Sequence, residues 1–385
     1  MSDRVYVGYA EEYDGEHIYE LISDAFEKLG FGREDFVGKK VVIKPNLIMK
    51  KSPEYAATTH PVVINAICRV LSGYGVRPVI AESPSGAYTA QRMAAFYRAC
   101  GINAAAEGLA DLNFDVSTVP VNSGCETLRT FNIIKPIYDA DVIIDAAKLK
   151  SHSLTKMTGA VKNLFGVVPG LEKFEMHARF PDEEVFSRAI TDICEYLCKN
   201  KKVISVTDAV VCMEGNGPTG GRPRKVGQIL VSDNPAASDA VAGDIIGFDG
   251  VVIDRTARQR GLYGGPENIV ILGSEPKKVR GFTAPDSKKR GAVLLLKILS
   301  GKKLSKLFAP HPVVDPKKCV GCGECAAACP ARTIAVETVK GGRRAVIDGR
   351  KCIRCFCCQE ICPKTAVKTV RNPLVSVVDG IKRRR

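Results

Sequence analysis

Eight of the fifteen cysteines fall into two copies of one pattern, Cys319-x2-Cys322-x2-Cys325-x3-Cys329-Pro330 and Cys352-x2-Cys355-x2-Cys358-x3-Cys362-Pro363. Nothing else in the chain constrains its fold as tightly. Thiolates three residues apart let a tight loop wrap one corner of an iron–sulfur cube. The fourth lies past a short turn, points away, and ligates the cube held by the other copy. Neither copy can then close its own site, so the two must fold around each other. This rule assigns Cys319, Cys322, Cys325 and Cys362 to one [4Fe–4S] cluster, and Cys352, Cys355, Cys358 and Cys329 to a second. Cys357 is a spare thiol out of register. Zinc would leave the regular third and fourth cysteines and both prolines unexplained, and a disulfide framework is a poor fit to a long chain without a secretory start.

The pattern resembles the bacterial two-cluster ferredoxins, and the repeat runs beyond the ligands. A shift of 33 positions aligns Asp315 with Asp348, Lys318 with Lys351, every ligand cysteine, both prolines, and Ile334 with Val367. Gly341-Gly342 reads as a hairpin turn between two short strands. A small α+β dicluster module over residues 311–372 is expected. Lys318, Lys351 and Arg354 beside the ligands, with backbone N–H groups freed by Gly321 and Gly323, should favour the reduced, more negative state.

About three hundred residues precede that module, far more than electron carriage needs. At 45% hydrophobic and 25% charged the whole chain has an ordinary globular composition. No window is apolar for long enough to span a bilayer, and the amino terminus carries no signal-peptide pattern. Cytoplasmic residence is expected, since thiolate ligands need a reducing compartment.

The formal net charge of +14 invites a nucleic-acid reading, which its distribution argues against. From Glu275 to Lys318 there are twelve Lys or Arg against three Asp or Glu, and the tail Lys382-Arg383-Arg384-Arg385 adds four more. The excess thus sits in a connector, residues 286–310, and a basic tail, residues 373–385, and no nucleic-acid fold signature accompanies it. The apolar, lysine-interleaved run from Ala292 to Phe308 could lie on a membrane surface or pack the module onto the main domain. Gly301 interrupts the pattern and favours packing.

Residues 1–285 alternate strand-like and helix-like runs. Val5–Tyr9, Val41–Lys44, Pro78–Ala81, Val142–Asp145, Ile204–Thr207, Gln228–Val231 and Asn268–Leu272 are short and apolar, and Pro61–Leu71, Thr89–Ala99 and Phe186–Cys198 are helical in pattern. This predicts an α/β fold, a mostly parallel sheet with flanking helices, as one large domain or two sub-domains. In such sheets ligands bind beyond the carboxyl ends of the strands. There the sequence places Lys44 and Asn46, then Lys148, Lys150 and His152, then Glu214 and Asn216 in a glycine-rich loop. Residues 145–177 are densest, with five lysines and two of the chain's five histidines. Flexible cations beside hydroxyls suit an anionic ligand, and His152, His177 and His60 titrate near neutral pH when unperturbed. Solvated loops, and for Thr59 and Pro61 a helix cap and first-turn proline, are the plainer account. The loop at 215–221 is not a Walker A motif, because Gly221-Arg222 stands where Lys-Ser/Thr is required, and no G-x-G-x-x-G opens a helix.

Five blocks carry a wider resemblance: Lys44-Pro45-Asn46, Thr58-Thr59-His60-Pro61, Ala147-Lys148-Leu149-Lys150-x-His152, Met157-Thr158-Gly159-x-x-Lys162-Asn163 and Glu214-Gly215-Asn216-Gly217-Pro218. They resemble the signature blocks of the domain of unknown function 362 family over about residues 1–280. Members of that family often carry a ferredoxin pair at the carboxyl end. The resemblance implies architecture rather than a reaction.

The function expected is transfer of electrons through two [4Fe–4S] clusters to an anionic organic substrate or cofactor bound by the α/β domain, in an anaerobic metabolism. His152, His177 and Lys162 are the candidate catalytic groups. Lys44, Asn46, His60, Lys148, Lys150, Asn163, Glu214 and Asn216 are the candidate ligand contacts. A redox partner protein is implied, without nucleic acid or a transmembrane segment. A non-catalytic electron carrier or docking subunit, and a cluster-dependent redox sensor, are the alternatives.

Overall fold

Strand-forming runs of Val and Ile alternate with amphipathic helices along most of the chain, and the computed structural model, which describes residues 2–288, 310–339 and 342–370, resolves them into one large sheet. Its strands are β1 (Asp3–Tyr9), β2 (Val41–Pro45), β3 (Val79–Ile80) and β4 (Asp111–Leu112), then, past a separate hairpin of β5 (Thr118–Asn122) and β6 (Thr130–Ile134), β7 (Val142–His152), β8 (Lys156–Thr158), β9 (Lys202–Glu214), β10 (Arg222–Ser232) and β11 (Ile269–Gly273). The order is β11-β1-β10-β9-β7-β2-β3-β4, with β8 folded back on β7. Along this order only β10 runs against its neighbours. The sheet is mostly parallel, as the alternation predicts. The reversed strand follows from a hairpin, in which β9 turns through the glycine-rich loop straight into β10.

Both faces are covered, so the central strands are apolar on both sides. Ile143 and Val203 face the helices Glu183–Asn200 and Pro235–Ile245, while Val142, Ile144 and Ile204 face Gly15–Leu29 and Pro61–Gly73. The helix Gly15–Leu29 shows how the sequence writes such an element. Asp14 caps it by accepting from His17 N at 2.8 Å. Ile18, Ile22, Ala25, Phe26 and Leu29 then fall on one buried stripe, and Gly30 ends it in the left-handed region at φ 77°.

The smaller unit pairs β12 (His311–Val314) with β15 (Val367–Val370), and β13 (Ile334–Val339) with β14 (Gly342–Ile347), around two short helices, Glu324–Ala327 and Cys357–Ile361. The hairpin read from the sequence is present as β13 and β14, and its turn at 340–341 lies outside the described residues. So do most of the connector, residues 289–309, and the whole basic tail. The repeat is visible in the backbone. Residues 321 and 323 have φ 63° and 83°, and their counterparts 354 and 356 have φ 59° and 64°, yet the second copy carries Arg354 and Phe356 where the first has glycine. Each costs of order 1–2 kcal/mol that glycine would not. No described helix is long and apolar enough to cross a membrane.

Candidate functional site

The carboxyl ends of β2, β3 and β7 deliver charged side chains to a point where water is largely excluded. Lys44, the fourth residue of β2, is fully buried and pairs with Glu82, just past β3, at 2.5 Å. Gly166 is required beside them, since a Cβ there would lie 2.4 Å from Lys44 Nζ. Lys150 donates to Asn46 Oδ1 at 2.8 Å, Asn46 Nδ2 to Asn163 Oδ1 at 2.8 Å, and Asn163 Nδ2 to Asp145 Oδ1 at 2.8 Å. The chain of donors ends on a carboxyl that burial pushes up to about 8.

Beyond this network lies a cleft of about 60 Å³, lined among others by Asn46, Ser83, Lys162, Lys173, His177 and Glu360. Its polar groups are poorly satisfied from within. Ser83 Oγ and His177 Nδ1 are buried without a hydrogen-bond partner. Among the described residues Lys162 Nζ makes no hydrogen bond or ion pair, and sits over the Phe165 ring at 5.5 Å. Burial drives Lys162 below the usual lysine range, and brings Lys173, which donates to Ser83 O, down to about 7. His177 stacks on Phe186 with 4.2 Å between ring centres, and burial brings it down to about 4. Buried polar atoms without partners are costly, and here two of them share a site with a buried lysine that makes no hydrogen bond.

One cleft wall belongs to the cysteine module. Glu360, on the helix Cys357–Ile361, lies 3.2 Å from His152 Nε2. His152 Nδ1 accepts from Leu154 N and Thr155 N at 3.1 and 3.3 Å, so the ring proton of the neutral imidazole sits on Nε2, facing the carboxylate. Burial, which brings His152 down to about 3, keeps that imidazole neutral. Burial also works to raise Glu360, but His152 and the Lys162 ammonium outweigh it and hold the carboxyl below its ordinary range. Next door, Gln359 fastens the module. Its Nε2 donates to Asn216 O at 3.1 Å, its Oε1 accepts from Thr369 Oγ1 at 2.9 Å, and its carbonyl accepts from Thr219 Oγ1 at 3.3 Å. Asn216 is in turn held by Asp286, and Glu214 by Arg222 and the amide of Thr283. The glycine loop is therefore a docking seat. A Cβ on Gly217 would lie 2.0 Å from the Ser151 carbonyl oxygen, which explains the glycine.

Lys44, Asn46, Lys150, His152, Lys162, Asn163 and His177 are thus brought together at the cleft or directly behind it. Lys148 and His60 are not. Lys148 donates to Asp208 Oδ2 and to Tyr13 OH, both at 2.8 Å. His60 stacks on Tyr13 with 3.6 Å between ring centres, and donates its amide to Asp208 at 3.0 Å. Tyr13 OH also accepts from Val211 N at 3.2 Å and donates to Asp208 Oδ1 at 2.9 Å. Tyr13→Phe leaves the Val211 amide unmatched and should lower stability by about 1–3 kcal/mol. Urea midpoints at unchanged slope measure this, and a shift worth under about 0.5 kcal/mol would contradict it.

Glu360, Gln359 and Tyr13 are participants that the sequence reading left out. For two of them a signal existed. The 33-residue shift aligns Gln359-Glu360 with Ala326-Ala327, so the polar pair is where the second copy departs from the first.

The eight cysteines surround two separate cavities. Cys319, Cys322, Cys325 and Cys362 line one, and Cys329, Cys352, Cys355 and Cys358 line another, which Cys357 also borders. Backbone N–H groups point at the sulfurs: Ala345 to Cys319 at 3.4 Å, Ala366 to Cys362 at 3.2 Å, Thr333 to Cys329 at 3.3 Å and Arg354 to Cys352 at 3.4 Å. Four thiols around each apolar cavity, with amides aimed at the sulfurs, fit an iron–sulfur group and its charge.

Two family models match the chain. The family model described as a domain of unknown function (DUF362) matches residues 41–244, and that of the 4Fe-4S dicluster domain matches residues 311–363. Over 267 residues the chain is 31% identical to the thylakoid-associated protein sll1697 of Synechocystis sp., an alignment covering 67% of this chain and 78% of the relative.

Proposed function

The chain belongs to the DUF362 family and carries an iron–sulfur domain with an electron-carrier role behind the family's own domain, and from that premise we propose that two [4Fe–4S] clusters deliver electrons to an anionic organic ligand held in the cleft. The observation that carries this is Lys162, a buried ammonium that makes no hydrogen bond or ion pair among the described residues, beside two buried polar atoms of the cleft that lack partners. A surface used only for docking would not need them. Lys162 and Lys173 anchor the anion. His177, kept neutral by burial, presents Nδ1 for a hydrogen bond or a proton at the reacting atom. Glu360 and His152 close the far wall and exclude water. Lys44, Asn46, Lys150 and Asn163 form the rigid layer behind, while Lys148, His60, Glu214 and Asn216 hold the scaffold and the docking loop. The clusters, when bound, supply one-electron chemistry. A reducing, cytoplasmic compartment and an anaerobic metabolism belong to the same reading.

Native mass spectrometry of protein purified without oxygen tests this. The chain should retain a small anionic molecule beyond its iron and sulfide, and recovery of cluster-loaded protein with nothing else bound would favour a plain electron carrier. The pH dependence has a definite sign. Burial brings Lys173 down to about 7, so its ammonium is present below that pH and lost as the pH rises through it. Retention should therefore weaken above pH 7, by up to ~10-fold per pH unit. An affinity that rose with pH would count against Lys173 as an anchor.

A further inference from the structure

The two cysteine cavities are not equivalent towards the rest of the molecule. Phe174 lines the ligand cleft and packs on Cys355 and Cys357 from behind, so the cleft and the cavity of Cys329, Cys352, Cys355 and Cys358 share a wall. Cys319, Cys325 and Cys362 of the other cavity pack instead in an apolar cluster that contains no residue of the cleft lining. That cavity faces outward. Cys322 is the exposed thiol among the eight, and Val320 beside it is 58% exposed. Exposed Lys317, Lys318 and Lys364 rim this face, while the nearby Asp315 is occupied by Lys368 at 2.7 Å.

We infer that electrons enter at the corner of Cys319, Cys322, Cys325 and Cys362, from an acidic one-electron carrier protein docked on the lysine-rimmed face around Val320, and leave for the cleft from the corner of Cys329, Cys352, Cys355 and Cys358. Tunnelling rates fall steeply with distance, so the corner sharing Phe174 with the cleft is the exit. The exposed corner is where a partner's redox group can approach. The positive rim selects an acidic partner and speeds encounter. With both clusters bound, the donor would give up one electron, which the group held by Cys319, Cys322, Cys325 and Cys362 would accept and pass on to the group held by Cys329, Cys352, Cys355 and Cys358.

This rests on the two-cluster reading, and its test separates the two. With full-length, cluster-loaded protein, an acidic flavodoxin in its fully reduced form serves as donor, and a photoreduced deazaflavin, too small to need the surface, serves as control. The double variant Lys317→Glu, Lys364→Glu should slow reduction by flavodoxin about 10-fold or more and weaken its salt dependence. It should leave the deazaflavin rate and the electron paramagnetic resonance spectrum unchanged. An unchanged flavodoxin rate overturns the docking face. For the order of the corners, Cys322→Ser should slow flavodoxin reduction of the remaining cluster, and Cys352→Ser should not. The reverse pattern overturns the order. A wild-type spectrum with a single cluster would overturn the two-cluster reading itself.

Discussion

Cys329→Ser should abolish the cluster of the second motif and spare that of its own. In the reduced variant the remaining electron paramagnetic resonance signal should match that of Cys352→Ser, and differ from that of Cys319→Ser. The reason is positional. Cys329 stands past the helix Glu324–Ala327, with its sulfur held by the Thr333 amide and hydroxyl at 3.3 Å, and it lines the cavity of Cys352, Cys355 and Cys358 rather than that of its sequence neighbours. Serine offers a harder, less acidic donor at that corner, and three thiolates hold a four-iron cluster poorly. Cys362→Ser is the reciprocal experiment, with loss expected in the group of Cys319, Cys322 and Cys325. A remaining signal matching Cys319→Ser after the Cys329 change would refute the exchanged assignment.

Lys162→Met should cut retention of the cleft ligand by about 100-fold, equivalent to ~3 kcal/mol, because a desolvated anion loses its principal counter-charge. The same change should leave the ligand-free fold equally stable or more stable. In the native chain this ammonium is buried without a bonded partner, and the thioether fills similar space at no desolvation cost. The two readouts move in opposite directions, which a merely structural lysine would not do. Weaker binding accompanied by a lowered urea midpoint would place Lys162 in the scaffold instead.

The path from sequence to site was uneven for physical reasons. The seven strand runs and three helices were legible because apolar periodicity and caps are local signals. The cysteine sets were legible because ligand spacing is a local geometric constraint. Partner choice for the lysines was not. Lys148 and Lys150 lie two residues apart on β7, yet one is matched by Tyr13 and Asp208, 135 and 60 residues away, and the other by Asn46. A register shift between them in the β7–β9 pairing separates their surroundings, and no local pattern announces it. Glu360 escaped because a polar residue between two ligand cysteines reads as surface. Only the packing of the two units turns it inward against His152.

The central claim is that electrons held by the clusters pass to a ligand in the cleft that Lys162, His177 and Glu360 enclose. Coulometric reductive titration of the protein, as purified without oxygen, tests this most directly. The wild type should take up more reducing equivalents than its clusters alone accept, and Lys162→Met, with the same iron and sulfide content, should lose the surplus. Uptake equal to the cluster capacity in both proteins would contradict the claim and leave an electron carrier in its place.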